Sequence, residues 1–119
     1  MDEDHYFSAD PSVAFKRAPV AASVWGHELA LTSGSGVFAQ GRVDIGTAIL
    51  FRETEPPAPG RILDLGCGYG VIGLAVAVAV PDAVVTAVDV NERAVLLATE
   101  NAAALGVTDR YTASTPAGV

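Results

Sequence analysis

Three alternating glycines and one aspartate in RILDLGCGYG, residues 61–70, are the residues whose types and spacing best suit ligand chemistry. Gly66, Gly68 and Gly70 follow a short apolar run that contains Asp64. Glycine lets the backbone adopt positive φ and lets a ligand approach the main chain without meeting a Cβ. A helix after such a turn offers free N–H groups to a polar group of the ligand. A turn without a ligand is the simpler alternative, but three glycines with flanking acids favour a ligand.

Two ligand classes use such a turn, and the charge of Asp64 separates them. A nicotinamide dinucleotide places its pyrophosphate at the helix start, where a carboxylate would repel it. Its fingerprint G-x-G-x-x-G also needs a glycine where this chain has Val71. S-adenosylmethionine has no phosphate; it carries an ammonium, a sulfonium and a carboxylate, so Asp64 would attract one end of it. The sequence therefore favours the methyl donor over a dinucleotide.

A second carboxylate, Asp89, closes the apolar segment AVVTAVD. There it could accept hydrogen bonds from both ribose hydroxyls, in S-adenosylmethionine as in dinucleotides. The alternative is that Asp89 only helps to start a helix at Asn91. Val90 follows and could pack on the adenine ring. Cys67 lies in the glycine turn, which makes it a candidate contact of the cofactor. Because no histidine is near it in the sequence, we do not expect it to act as a nucleophile.

These residues need a framework of strands and helices, and the segment after residue 60 predicts one. VIGLAVAVAV alternates like a strand, but parallel neighbours need a crossover between them, so a helix is predicted there. The predicted elements are strand Arg61–Leu65, a helix from Tyr69 or Gly70 to Val80, strand Ala83–Val88, a helix capped by Asn91 and running to about Leu105, and strand Arg110–Ser114. This order indicates an α/β fold with a parallel sheet that binds ligands at the carboxyl ends of its strands.

The second of these helices has one stripe at helical spacing that is mostly apolar, and Gly106 is a natural stop. The stripe consists of Ala94, Leu97, Ala98, Asn101, Ala102 and Leu105.

The chain before residue 60 has a different character. Ala21–Trp25 and Glu28–Thr32 predict two strands joined around Gly26-His27 as a β-hairpin. Asp44 can cap the helix that follows. The apolar face of that helix is predicted to carry Ile45, Ala48, Ile49 and, as a further candidate, Phe51. The predicted division is a polar segment 1–19, a hairpin and helix region 20–54, a proline-rich connector EPPAPG at 55–60, and the N-terminal half of a cofactor-binding domain at 61–119.

Composition limits the classes of protein that remain. With 119 residues, 50% hydrophobic and 18% charged, the chain can bury one core and lacks the signature of disorder. Its acidic start is unlike a secretory signal, and its longest apolar run is about half of a bilayer span. One cysteine excludes an internal disulfide and favours a cytoplasmic setting, while His5 and His27 are expected on the surface and not at a metal. The net charge of −7 argues against a broad basic surface for nucleic acid.

Together the motifs resemble a known family. LDLGCGYG followed by VDVN resembles the first two motifs of the class I S-adenosylmethionine-dependent methyltransferases. Upstream, GVFAQGRVDIGTAIL is similar to the segment G-V-F-S-x-x-x-x-D-x-G-T-x-x-L of the "methyltransferase small" domain, the group that includes small-subunit ribosomal RNA guanine-N2 methyltransferases. The resemblance covers residues 20 to 114. It implies a Rossmann-like sheet, S-adenosylmethionine as cofactor and ribosomal RNA as acceptor.

The same resemblance implies roles for individual residues. Those that would line the methionine end of the cofactor are Asp64, Gly66, Gly68 and Gly70. Asp89 would hold the ribose. Gly46 and Thr47 match a Gly-Thr pair near the methionine part, which makes Thr47 a further candidate contact. A capped helix start explains residues 44–47 equally well, and no residue is assigned a catalytic role.

One departure from the family pattern limits the prediction. The family holds the acceptor amine with N-P-P-[YF] or a similar motif after its fourth strand, and this chain, which ends at Val119, contains no Asn-Pro-Pro. The chain is therefore expected to be the N-terminal portion of a methyltransferase, truncated or partial, and inactive on its own. Without a fourth strand one edge of Arg61–Leu65 would stay unpaired, which invites self-association.

Two other functions stay open. The chain could be a non-catalytic nucleotide-binding or interaction module that pairs its open edge with a partner. It could also belong to a methyltransferase that acts on a protein or a small molecule, because nothing in the sequence identifies the acceptor.

Overall fold

The computed structural model describes residues 15–35, 37 and 44–118. Most of the predicted polar segment 1–19 lies outside these residues, as do His5, most of GVFAQGR, and Val119. His27 is exposed, as expected. No helix in the described part is long and apolar enough to cross a membrane.

Strands and helices alternate in the second half, as predicted. In chain order the elements are β1 (Arg17–Val24), β2 (His27–Gly34), α1 (Ile45–Glu53), β3 (Arg61–Leu65), α2 (Val71–Ala79), β4 (Val84–Val88), α3 (Glu92–Leu105), β5 (Tyr111–Ser114) and a 3₁₀ turn at Pro116–Gly118. From β3 onward each predicted boundary lies within two residues of the observed one.

β1 and β2 pair as the predicted antiparallel hairpin, with longer strands than expected. The turn is Trp25-Gly26, with φ angles of 48° and 80°. Positive φ at both positions suits the right-handed twist of a two-residue hairpin, so His27 belongs to β2 and not to the turn. The Trp25 indole N–H donates to the Thr54 carbonyl at 3.0 Å, and its ring meets Phe51 edge-on at 5.3 Å between centroids. These contacts hold the turn against the end of α1.

α1 begins at its predicted cap but buries a different face. The side chain of Asp44 accepts a hydrogen bond from the Thr47 N–H. Phe51 is buried, whereas Ala48 is exposed and Ile49 keeps 43% of its surface exposed. The prediction that Ala48 and Ile49 form the packed face is wrong, because α1 packs against the hairpin corner at Trp25 and Phe51 is the side chain that contacts it. The side chain of Ile45 lies outside what the structure describes.

β3, β4 and β5 form a parallel sheet in that order, so β3 is an edge strand whose partner within the described residues is β4. VIGLAVAVAV forms the crossover helix α2 that parallel pairing requires. Leu74 and Ala77 of this helix are completely buried. A valine-rich segment without a polar face is stable as a helix here because it is enclosed by the sheet, α3 and the hairpin.

Within the described residues the parallel sheet is covered on one face. α2 and α3 pack on the face that carries Val85, Ala87 and Tyr111, all buried. On the other face Leu63 and Leu65 of β3 are 59% and 72% exposed. Parallel sheets are ordinarily covered on both faces. The open face and the unpaired edge of β3 agree with the expectation, and self-association through them stays a prediction.

One buried side chain, Asn101 of α3, connects the hairpin to the glycine turn. Its amide nitrogen donates to the carbonyl oxygens of Thr32 at 2.9 Å and of Tyr69 at 2.8 Å. Its Oδ1 accepts from the Thr32 N–H at 2.8 Å. Asn101 is 2% exposed, so these bonds are shielded from water. Through this residue α3 ties β2 to the turn that precedes α2.

We expect Asn101→Ala to lower the free energy of unfolding by about 2–4 kcal/mol, since the buried Tyr69 carbonyl and the half-buried Thr32 N–H and carbonyl lose the partner that Asn101 provides, and an unsatisfied buried group costs about 1–3 kcal/mol before local relaxation. Urea unfolding followed by circular dichroism measures the change. Thr99→Ala is the control, because its exposed hydroxyl bonds only within α3, to the Val95 carbonyl. Equal losses in the two variants would contradict the connecting role of Asn101.

Candidate functional site

The carboxyl ends of β3 and β4 open into a cavity of about 300 Å³. The glycine turn, the residues after β4 and the start of α1 form its walls. The sequence-predicted residues that line it are Thr47, Asp64, Gly66, Cys67, Gly68 and Asp89. Asp44, Tyr69 and Asn91 line it as well, although the sequence had not assigned them to the site. The fold therefore brings together most of the predicted set.

The glycine turn is held by the end of β4. The N–H groups of Gly66 and Cys67 both donate to the Val88 carbonyl, at 2.7 and 3.0 Å. Gly66 and Gly68 have φ angles of 72° and 57°, and a Cβ added at either would meet no atom within 4 Å. Both positions combine the left-handed backbone that favours glycine with open space beside the main chain. This geometry allows the close approach of a ligand.

Gly70 lies in the same turn but faces the core. Its φ is 101°, and an added Cβ would lie 2.8 Å from Leu74 Cδ1 and 2.9 Å from Tyr111 Oη. Gly73, which the sequence had not singled out, is similarly enclosed, since its added Cβ would lie 3.0 Å from Asp64 Oδ2. Gly70 is not among the described residues that line the cavity. Its contact with a cofactor stays a prediction. The close approach of Leu74 and Tyr111 already leaves no room for a side chain at this position.

Asp64 is half-buried at the end of β3 and contacts α2. Its Oδ2 accepts a hydrogen bond at 3.2 Å from Gly73, one of the first N–H groups of that helix. Burial raises the pKa of Asp64 above its ordinary value, the Gly73 bond opposes the shift, and the charge of Asp89 adds to it. Asp64 therefore serves the start of α2 as well as the cavity, and a cationic ligand would favour its charged form.

Asp89 joins the glycine turn to the start of α3. Its Oδ2 accepts from the Gly68 N–H and its Oδ1 from the Asn91 N–H, each at 2.9 Å. The Asn91 side chain in turn caps α3 by accepting from the Arg93 and Ala94 N–H groups. The alternative role of Asp89 in starting the helix is thus present. It does not exclude a ligand role, because each carboxylate oxygen can accept a second hydrogen bond.

Asp44 and Thr47 bring α1 to the cavity. The Thr47 N–H and hydroxyl donate to the two oxygens of Asp44, at 3.2 and 2.6 Å. The bond from the hydroxyl and then the bond from the N–H lower the pKa of Asp44, so its carboxylate is ionised at neutral pH. The capped helix start is therefore present together with exposure to the cavity. The contact predicted between Thr47 and the cofactor stays a prediction.

Cys67 and Val90 are the remaining predicted contacts. Cys67 is buried, and burial together with the negative charges of Asp64 and Asp89 raises the pKa of its thiol to about 12. The thiol stays protonated at neutral pH, which does not suit a nucleophile. Val90 is 53% exposed and is not among the described residues that line the cavity. Its packing on adenine stays a prediction.

Three carboxylates, those of Asp44, Asp64 and Asp89, line the cavity, and no basic side chain does so among the described residues. This charge suits a cationic ligand and disfavours a pyrophosphate. Val37 and Ile72 add apolar surface. Within the described ranges no group of three histidine, cysteine or acidic side chains is placed to hold a metal ion.

Comparison with known proteins places these motifs in a family. The Methyltransferase small domain family matches residues 28–116. Uncharacterized protein YbxB of Bacillus subtilis (strain 168) is 42% identical over 107 residues, which are 89% of this chain and 53% of that protein. Ribosomal RNA small subunit methyltransferase C of Vibrio vulnificus (strain CMCP6) is 37% identical over 92 residues, 77% of this chain and 27% of that enzyme. Ribosomal RNA large subunit methyltransferase G of Streptomyces coelicolor is 48% identical over 64 residues, 51% of this chain and 16% of that enzyme.

A solved structure shows the same fold. The T. thermophilus 16S rRNA N2 G1207 methyltransferase (RsmC) in complex with AdoMet and guanosine matches with a TM-score of 0.71 and 27% identity, over 89% of this chain and 29% of that chain. This chain spans about half of YbxB and less than a third of these rRNA methyltransferases. The predicted resemblance and the partial α/β methyltransferase fold are confirmed. This chain belongs to the methyltransferase small domain family.

Proposed function

We propose that this chain binds S-adenosylmethionine in the acidic cavity and forms the donor-binding part of an enzyme that methylates ribosomal RNA. The observation that carries the proposal is the glycine turn, with open space at Gly66 and Gly68, flanked by carboxylates at the ends of neighbouring parallel strands. Ribosomal RNA as acceptor is supported by the names of the Vibrio and T. thermophilus relatives, and guanine N2 as the methylated position by the name of the T. thermophilus enzyme.

In the proposed arrangement the methionine part of the donor lies over Gly66–Gly68, beside Asp64. The ribose hydroxyls donate to Asp89, which keeps its two bonds to backbone N–H groups and uses its remaining acceptor sites. The adenine extends toward Val90, whose exposed side chain offers apolar surface. The carboxylate of Asp89 thereby contacts both the glycine turn and the bound ligand.

S-adenosylmethionine supplies an activated methyl group when bound. Its transfer to an amine is a direct displacement, which depends on alignment more than on a strong base. The contribution of this chain is to fix the position and orientation of the donor. Its buried, protonated Cys67 offers no competing nucleophile. We expect the isolated chain to bind the donor without transferring the methyl group, because its sequence contains no Asn-Pro-Pro, the motif with which the family resemblance implies that the acceptor amine is held.

Titration calorimetry with S-adenosylmethionine, S-adenosylhomocysteine and NAD tests the binding proposal. We expect both adenosyl compounds to bind and NAD to bind at least about 100-fold more weakly, because its pyrophosphate would meet three carboxylates. A preference for NAD, or no binding of either adenosyl compound, would contradict the proposal.

The expected inactivity of the isolated chain on ribosomal RNA needs a separate experiment. Ribosomal RNA is incubated with S-adenosylmethionine that carries a labelled methyl group, with the T. thermophilus enzyme as positive control. Incorporation catalysed by this chain at the rate of the control would refute the expected inactivity, although the assignment of the donor site would stand.

A further inference from the structure

Asp44 is a cavity carboxylate for which the donor arrangement described above has no role. It lies at the start of α1, far along the chain from the strand ends that carry Asp64 and Asp89, yet all three residues line the same cavity. The methionine part of the donor has two charged groups that this arrangement assigns to no residue, the α-ammonium and the α-carboxylate, and only the ammonium would be attracted by a carboxylate. That group offers three hydrogen-bond donors and a positive charge.

The two carboxylates at the strand ends are less suited to this ammonium. Both oxygens of Asp89 already accept from backbone N–H groups, and the residue lies where the ribose is proposed. Asp64 is half-buried and directs one oxygen to the Gly73 N–H, so it is partly used in holding α2. Both of these carboxylates are also only partly exposed.

Asp44 differs in exposure and in the source of its hydrogen bonds. Its side chain is exposed, and two hydrogen bonds from Thr47, one to each oxygen, orient the carboxylate and keep it charged. In the described part of the chain it has no basic partner. Its charge also reaches the glycine turn, since burial raises the pKa of the Tyr69 hydroxyl and the nearby Asp44 raises it further.

We propose that the carboxylate of Asp44, oriented by Thr47, binds the α-ammonium of the methionine part of the donor. The inference rests on the proposed binding of S-adenosylmethionine and adds to it the residue that recognises the amino acid end. The carboxylate of Asp44 then has two roles, since it caps α1 and contacts the ligand.

A double-mutant cycle between protein and ligand tests the contact. Calorimetry measures the binding of S-adenosylhomocysteine, and of its analogue with hydrogen in place of the α-amino group, to the wild-type chain and to Asp44→Asn. Asparagine caps a helix about as well as aspartate, so the substitution removes the charge and spares α1. We expect Asp44→Asn to weaken S-adenosylhomocysteine by about 10- to 100-fold, the range of a hydrogen bond to a charged group. Binding of the deaminated analogue should not change.

Two matched variants complete the design. Asp82→Asn removes an exposed carboxylate in the turn between α2 and β4, away from the cavity, and should leave both ligands unaffected. Asp64→Asn tests the competing assignment, in which Asp64 and not Asp44 binds the α-ammonium.

The outcomes are distinguishable. Discrimination between the two ligands that is lost in Asp44→Asn and kept in Asp64→Asn supports the proposal. Discrimination that is lost only in Asp64→Asn would overturn it and leave the proposed donor site intact, as would an equal effect of Asp44→Asn on both ligands. A wild-type chain that binds neither S-adenosylmethionine nor S-adenosylhomocysteine would overturn the proposed function itself.

Discussion

The Asp89→Ala variant is expected to lose detectable binding of S-adenosylmethionine. The substitution removes both proposed acceptors of the ribose hydroxyls, and hydrogen bonds to a charged acceptor contribute about 1.5–3 kcal/mol each, so the affinity falls at least ~100-fold. It also leaves the Gly68 and Asn91 N–H groups without the acceptors that they have at 2.9 Å. The glycine turn then loses its bond to the start of α3. Calorimetry measures the binding, and urea unfolding measures the accompanying loss of stability.

The loss of binding has to be separated from a loss of folding. The circular dichroism spectrum of Asp89→Ala at the temperature of the titration should match that of the wild type. Asp109→Ala, which removes an exposed carboxylate outside the cavity, is the control and should bind normally. If a folded Asp89→Ala chain bound within about threefold of the wild type, Asp89 would serve only to organise the turn and the helix start.

Gly70→Ala is expected to have the largest effect on stability. At φ of 101° an alanine is strained, and its Cβ would lie 2.8 Å from Leu74 Cδ1, 2.9 Å from Tyr111 Oη and 3.3 Å from Ala98 Cβ. Left-handed strain costs about 1–2 kcal/mol and overpacking a further 1–3 kcal/mol, so we expect a loss of about 2–5 kcal/mol. A small domain has about 5–15 kcal/mol of stability, so much of the chain could be unfolded at room temperature.

Gly66→Ala is the matched variant for this prediction. Its φ of 72° is also left-handed, but an added Cβ would meet no atom within 4 Å. We therefore expect only the strain, about 1–2 kcal/mol, with the fold retained. Its methyl group would project beside the main chain where the donor is proposed to approach, so binding should weaken although the chain is folded. Urea midpoints followed by circular dichroism compare the variants, and equal losses would show that packing at Gly70 contributes nothing.

Short-range signals made the order of the elements predictable. β3 has its predicted bounds, Arg61–Leu65, and α3 has the predicted cap at Asn91 and the predicted stop at Gly106. The parallel pairing of β3 with β4 then places Asp64 and Asp89 at one edge of the sheet. Strand order, crossover helices and the turn between them depend on local propensity and spacing, which a single sequence displays. The packed face of α1 was not predictable in this way, because the hairpin corner against which it packs lies elsewhere in the chain.

The sequence by itself thus determined the α/β order, the family, the glycine turn and the carboxylates on either side of it. Only the tertiary structure decided what surrounds that turn. Gly66 and Gly70 are equivalent in the G-x-G-x-G spacing, yet one has open space beside it while α2, α3 and β5 converge on the other. Asn101 interrupts an apolar stripe in the sequence, and packing makes it the polar link between β2 and the turn. Asp44 lines the same cavity as Asp64 and Asp89 although it precedes the proline-rich connector and β3 in the chain. These relations join residues that are distant in sequence, and local propensity and spacing do not encode such contacts.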